Sequence, residues 1–233
     1  MAKSKSAKKP AVKKAPKKKA PAKKKAPVSQ AKKRELATNV DKEMKKPIGI
    51  PGDLRPAYDE YIANVSPETE SISWELTVWI WEYLVTERPK NILDAGSGFS
   101  SALFRRYAAD FPETMVYTLD TQDVFLQKTK EFLKGKGLNA ENMFITLAQL
   151  HPTKKYDFVS HDYGRCDSGE RAKYMPEMYD RVKKGGVLLL DDIHKTAYWE
   201  VVRKFLGDKK LKIKKLLTTK DKFGRYSGLV TKK

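Results

Sequence analysis

Apolar and polar positions along this chain fall into two successive patterns. From Ser66 to Pro89, "SPETESISWELTVWIWEYLVTERP", the residues Trp74, Val78, Trp81 and Val85 recur at three- and four-residue spacing, which is one face of an α-helix. Ser66 is the expected N-cap, Pro67 the first helical position, and the glutamates that follow suit the early turns. The tryptophans of that face read as core rather than as a ligand platform. Beyond Pro89 the pattern alternates: strand "NILDA", helix "SSALFRRYAADF", strand "MVYTLD", helix "VFLQKTKEFLKGKG", strand "NMFITLA", strand "YDFVSHD", helix "GERAKYMPEMYDRVKKGG", strand "VLLLDD", helix "AYWEVVRKFLG". Short apolar strands between amphipathic helices predict a parallel sheet covered on both faces. The ending differs, because "LKIKKLLTT" and "RYSGLVTK" are separated only by the turn residues "KDKFG". That arrangement predicts an antiparallel hairpin on the sheet edge, and with it an α/β fold built on a mostly parallel seven-stranded sheet.

Proline and charge divide the chain into three parts. Residues 1–46 are a Lys/Ala/Pro-rich basic tail, 47–65 a connecting segment, and 66–233 the folded domain. Pro47, Pro51, Gly52 and Pro56 give the connecting segment the look of an extended approach to the core. The formal charge is +19 over 233 residues, and residues 1–50 hold 18 Lys/Arg against 3 Asp/Glu, so the rest of the chain is only about +4. From Ala2 to Arg34 there is no acidic and no aromatic residue, and prolines at 10, 16, 21 and 27 interrupt any helix. Such a stretch cannot bury enough apolar surface to offset its chain entropy, which predicts disorder.

This composition is similar to the Lys/Ala/Pro tails of linker histones and bacterial histone-like proteins. The similarity implies salt-sensitive, sequence-independent binding of nucleic acid or another polyanion through counterion release. A sorting or solubilising tail is the alternative, and the lack of aromatic residues removes any platform for stacking single strands.

Cys166 is the one cysteine, so there is neither a disulfide framework nor a thiolate zinc site. No apolar run approaches the ~20 residues of a membrane span, and the N-terminus lacks the apolar core of a secretory signal. The expectation is a soluble intracellular protein without a membrane partner: cytoplasmic or nucleoid-associated, or nuclear in a host that has a nucleus.

The candidate chemistry starts at "LDAGSGFSS", where the first strand runs into the first helix of the alternating region. Ligands of doubly wound sheets bind beyond the carboxyl ends of the strands. Gly96 and Gly98 permit a sharp turn and a close approach to a ligand, although Ser101 stands where a dinucleotide fingerprint has its third glycine. Asp120 ends the second strand, 22 residues beyond Gly98, where a carboxylate can accept both hydroxyls of a ribose. Read alone, it is also a strand-end aspartate capping the next helix.

Taken in order, "ILDAGSGFSS", "YTLD", "YDFVSHD" and "KKGGVLLLDD", followed by the terminal hairpin, resemble a class I S-adenosylmethionine-dependent methyltransferase of the small-molecule O-methyltransferase type, whose strands end in Asp and DD(Y/I)H. The resemblance implies the Rossmann-like fold of that family over about Ser66 to Lys233. It also implies that Asp94, Gly96 and Gly98 surround the methionine part of the cofactor, that Asp120 holds its ribose, and that Gln149 or Ala148 meets its adenine. The terminal hairpin makes NAD the lesser reading.

Asp162, Asp191 and Asp192 end two adjacent strands at one mouth. Three carboxylates in one cleft repel unless hydrogen-bonded, protonated or bound to a cation. Their positions resemble the divalent-metal triad of catechol and caffeoyl-CoA O-methyltransferases, which implies Mg²⁺ as a second cofactor. A solvated cluster with Asp192 capping the next helix is the alternative. Where the catechol-type enzymes carry a lysine, this chain has Arg165, which stays protonated and is a poor base. His161 and His194 are the substitute candidates, with Asp162, for catalysis. Enzymes that methylate adenine amines carry an Asn/Asp-Pro-Pro-Tyr/Phe run at the fourth strand, and "HDYG" does not match it.

Two functions of different class follow. One is a methyltransferase, transferring to oxygen, tethered by its tail to nucleic acid or another polyanion. The other is a histone-like binding protein whose α/β domain has lost catalysis. The acceptor itself is not legible, although a nucleic-acid-bound acceptor would suit the late basic clusters "KKLKIKKLL" and "TTKDK".

Overall fold

A computed structural model describes residues 49–166 and 169–233. The expected disorder of residues 1–46 lies outside these. In chain order the elements are α1 (Leu54–Asn64), α2 (Trp74–Glu87), β1 (Asn91–Ala95), α3 (Phe99–Asp110), β2 (Met115–Leu119), α4 (Asp123–Gly135), β3 (Met143–Phe144), β4 (Tyr156–His161), α5 (Glu170–Arg181), β5 (Val182–Leu190), α6 (Thr196–Asp208), β6 (Ile213–Leu216) and β7 (Ser227–Thr231). They form one seven-stranded sheet of order β3-β2-β1-β4-β5-β7-β6. The first five strands of that order are parallel, and β7 runs antiparallel to both β5 and β6. The parallel sheet with its terminal hairpin is therefore the architecture the alternating pattern predicts.

Side chains of a strand alternate between faces, and here both faces are dry. Ile92, Phe158 and Leu189 pack with Leu84, Phe99, Leu103 and Phe132 of α2, α3 and α4. Their chain neighbours Leu93, Val159, Leu188 and Leu190 pack with Met175, Met178, Tyr198 and Val202 of α5 and α6 on the other face. A strand buried on both sides has to read as a continuous apolar run, which is why "NIL", "DFV" and "VLLL" lack alternation.

The connecting segment departs from expectation. Residues Leu54–Asn64 are an α-helix rather than an extended lead-in, and Leu54, Tyr58 and Tyr61 are buried. Pro56 lies in the first turn, where the missing N–H has no intrahelical partner to lose, so this proline does not break the helix. The Tyr58 hydroxyl donates to the carbonyl of Ile72 at 3.1 Å.

The next helix starts at Trp74, not Pro67, and Ser73 caps it by accepting from the Leu76 amide at 3.0 Å. Residues 66–72 are instead a separate turn, closed by the Glu70 and Ser71 amides donating to the Pro67 carbonyl. Its buried face is also rotated from the expected one, with Leu76, Thr77, Ile80, Trp81, Leu84 and Val85 inward and Trp74 and Val78 only partly covered. The expected strand "NMFITLA" shortens to Met143–Phe144, because a 3-10 turn at Leu147–Gln149 follows at once. Among the described residues no helix is long and apolar enough to cross a membrane.

Candidate functional site

Strand register assembles the site. Ala95 of β1 pairs with Leu119 of β2 and with His161 of β4, and His161 pairs with Leu190 of β5. The next residue of each strand, Gly96, Asp120, Asp162 and Asp191, therefore leaves the sheet at the same edge. The chain turns to opposite sides of β1 there, since β2 lies on one side and β4 on the other. Such a switch point opens a crevice between the two connections.

A cavity occupies this crevice, lined among others by Gly96, Ser97, Gly98, Asp120, Asp162 and Arg171. Tyr61 of α1 and residues Ser71 and Ile72 of the turn before α2 close its other side. A larger depression, of about 730 Å³, lies along α6 at Glu200–Asp208, away from the strand ends.

The glycine turn owes its shape to packing against β4. Gly96 has φ +115°, and a Cβ there would stand 2.8 Å from the Cβ of Asp162. The Gly96 amide donates to the Leu119 carbonyl at 2.7 Å, and the Asp162 amide donates to the Ala95 carbonyl at 2.6 Å. One backbone crossing thus ties three strand ends. Asp120 faces the turn: its Oδ2 accepts from the Ser97 amide at 2.7 Å and from the Ser97 hydroxyl, and its Oδ1 accepts from the Gln122 amide at 2.8 Å. A carboxylate has about four acceptor sites, so capacity remains toward the cavity.

Asp94 was expected beside the cofactor and lies beneath the turn instead, 1% exposed. Its carboxylate accepts from the hydroxyls of Ser100, Ser101 and Thr118, holding the first turn of α3 to β1 and β2. Burial pushes its pKa up to about 6, against the pull of those hydroxyls and of Arg105. Arg105 is 4% exposed and completes the network, donating to Thr118 Oγ1 at 2.8 Å and to the Glu141 carbonyl at 3.0 Å.

Gln149 is likewise turned away from the cavity. Its Oε1 accepts from the amides of Ile145 and Thr146, which makes it the brace of the 3-10 turn after β3, and neither Gln149 nor Ala148 lines the crevice.

The histidines do not flank the mouth as expected. His161 is 0% exposed, and its Nε2–H donates to the Arg171 carbonyl at 3.0 Å while Nδ1 has no partner among the described residues. Burial, reinforced by the Arg171 charge, lowers its pKa to about 3, so the ring is neutral and enclosed rather than available as a base. His194 has its Nδ1 3.6 Å from Asp192 Oδ1 and its ring 6.3 Å from that of Tyr226, outside the cavity wall.

The carboxylates Asp162, Asp191 and Asp192 do gather, and a guanidinium lies among them. Arg171, in the first turn of α5 and 7% exposed, forms an ion pair with Asp162 through Nη2. Its Nη1 donates to Asp192 Oδ2 at 3.0 Å and its Nε to the Gly164 carbonyl at 3.1 Å. Asp192 also accepts from Lys195 at 2.7 Å, and these two cations outweigh burial and hold its carboxyl below the ordinary value. Asp191 turns toward β7, where Oδ1 accepts from Ser227 Oγ at 2.6 Å and from the Asp192 amide. Burial and the Asp192 charge push Asp191 up. The set does not fit a divalent metal: its central position is taken by Arg171, and no group of three or more His, Cys, Asp or Glu suited to a metal is found among the described residues.

The crevice does suit a nucleoside carrying a charged tail. A ribose can meet Asp120, and the Gly96–Gly98 turn offers backbone where a side chain would obstruct. Sequence reasoning missed Ser97, Tyr61, the 66–72 turn and Arg171. Ser97 was legible in principle as the residue between the two glycines, whereas the others are brought in only by packing.

No protein-family model matches the chain, and no curated protein matches it in sequence. Solved structures do share its fold. A SAH-bound methyltransferase of Podospora anserina superposes with a TM-score of 0.62 at 16% identity, covering 91% of this chain and 99% of its own. An O-methyltransferase of Bacillus cereus in complex with SAH gives 0.60 at 14%, covering 85% and 97%. The O-methyltransferase TomG of Streptomyces achromogenes, involved in tomaymycin synthesis and solved with SAM, gives 0.57 at 13%, covering 88% and 100%. The fold is thus the Rossmann-like one of these methyltransferases.

Proposed function

We propose that this protein is an S-adenosylmethionine-dependent methyltransferase acting on an oxygen acceptor. The observation that carries the reading is the strand register that delivers the Gly96–Gly98 turn, Asp120 and Asp162 to one crevice at the switch point. The likeness to structures named O-methyltransferases supports oxygen as the accepting atom.

Asp120 would hold the ribose hydroxyls, and the Gly96–Gly98 turn would lie against the methionine part. When bound, the cofactor supplies a sulfonium methyl that already carries its own leaving group, so the protein has mainly to align the acceptor in line and exclude water. The turn at residues 66–72, Phe125 and Tyr61 supply walls for that purpose. His161, neutral and enclosed, maintains the wall by fixing the first turn of α5 to β4 and takes no proton from the acceptor.

Calorimetric titration of S-adenosylmethionine and S-adenosylhomocysteine tests the reading directly. Micromolar binding is expected, weakened by about tenfold or more in Asp120→Ala, which corresponds to about 1.4 kcal/mol or more. Wild-type protein that binds neither ligand would overturn it. The lysine-rich segment is, on this reading, a tether to nucleic acid or another polyanion, supported by its concentration of charge. A domain that binds the polyanion and no cofactor would instead favour the histone-like reading.

A further inference from the structure

We infer that Arg171 is the resident cation of the strand-end carboxylates, so that Asp162 and Asp192 are clamped by a guanidinium where a divalent metal would otherwise sit. The geometry is three-pronged and in one plane of donors: Nη2 on Asp162, Nη1 on Asp192 Oδ2 at 3.0 Å, and Nε on the Gly164 carbonyl at 3.1 Å. A guanidinium stays protonated in proteins and matches carboxylates as a rigid fork. It therefore cannot vacate the cluster by losing a proton, as a lysine could.

Both ends of this residue are held. The residue is 7% exposed, and its own carbonyl accepts from His161 Nε2, which joins α5 to the end of β4. Its partners are held as well. Asp192 sits in the left-handed region, φ +59°, and accepts a second cation in Lys195 at 2.7 Å. Arg171 and Lys195 together bring two positive charges to Asp162 and Asp192, the charge a divalent ion would bring. Asp191, the third carboxylate, is engaged on the β7 side by Ser227. For a metal to bind between Asp162 and Asp192, a buried guanidinium would have to leave three acceptors at once.

The consequence for catalysis rests on the methyltransferase reading: the part of the cavity wall formed by Asp162 and Gly164 is fixed by an organic cation and needs no metal to hold it. Arg171 is a positioning residue in this scheme, since it acts through Asp162 and the Gly164 backbone that line the cavity.

Electron paramagnetic resonance of Mn²⁺ with the full-length chain reads the clamp without requiring turnover. Wild type should show no stoichiometric site at millimolar Mn²⁺. Arg171→Ala should gain one, with affinity raised by about tenfold or more, because two carboxylates lose their cation. That site should vanish again in the Arg171→Ala/Asp162→Asn double variant. A stoichiometric wild-type site that Asp162→Asn abolishes would overturn the inference, and so would a folded Arg171→Ala that gains no site and keeps wild-type thermal stability. Should Arg171→Ala not fold, Arg171→Lys decides: lowered thermal stability without a Mn²⁺ site supports the clamp, and unchanged stability with stoichiometric Mn²⁺ sinks it. Failure of S-adenosylmethionine binding is a separate result, which would remove the methyltransferase reading and leave the Mn²⁺ outcome standing.

Discussion

At the scale of single residues, burial and partner atoms separate residues that a sequence pattern treats alike. Asp94, inside β1, and Asp120, just beyond β2, both lie near the glycine turn, yet one is enclosed under hydroxyls and the other faces the crevice. The folded pKa of Asp94 is raised to about 6, above its ordinary value. Between about pH 4 and 6 the folded state therefore holds the proton more tightly than the unfolded chain, and stability falls as pH rises through that window. Thermal melts of Asp94→Asn should show this part of the pH dependence flattened, while an unchanged slope would locate the titration elsewhere. Gly96 makes a second, sharper case. At φ +115° with Asp162 Cβ 2.8 Å from a methyl, Gly96→Ala should destabilise the fold by about 1–3 kcal/mol, measurable by denaturant melts. A near-neutral result would mean that the β1–α3 turn relaxes freely. The glycines and Asp120 were legible because conformational freedom and charge at a strand end are properties of residue type and order. Arg171 was not, because its partners lie 9 and 21 positions away along the chain and meet it only across strand ends.

At the scale of elements, the misread segments are those where local punctuation and tertiary cover disagree. Proline spacing marked 47–65 as a connector, whereas Leu54, Tyr58 and Tyr61 form a buried stripe that packs Tyr61 at 5.7 Å from Phe99 and 5.0 Å from Phe132. A chain beginning at residue 66 should consequently melt well below one beginning at residue 47, since burying each such side chain contributes about 1.5–3 kcal/mol. Equal melting temperatures would make α1 an accessory. Ser66 was the expected cap of this helix, whereas in the fold it is Ser73 that accepts from the Leu76 amide at the start of α2. Ser73→Ala should cost about 1 kcal/mol in a urea melt, as loss of an N-cap does. If Ser66→Ala cost more, the turn at 66–72 would outweigh the cap.

At the scale of the whole molecule, charge and architecture are separable in the sequence. Residues 1–50 hold 18 of the 48 Lys/Arg and only 3 of the 29 Asp/Glu. Binding to duplex DNA or heparin should therefore fall steeply with salt and be lost on removal of residues 1–46, with S-adenosylmethionine affinity unchanged. Salt-insensitive binding would count against the tether. The mostly parallel sheet and the terminal antiparallel hairpin were determined by the sequence itself, whereas the order of the strands came with the fold. Apolar runs flanked by amphipathic helices can bury both faces in few ways, and a two-strand ending without a helix can only return antiparallel. The chemistry of the crevice was decided by tertiary structure. Whether His161 is a base or an enclosed donor, and which cation stands between Asp162 and Asp192, depends on distances across strand ends. Those distances are set by register and helix packing, which no local pattern of residues encodes.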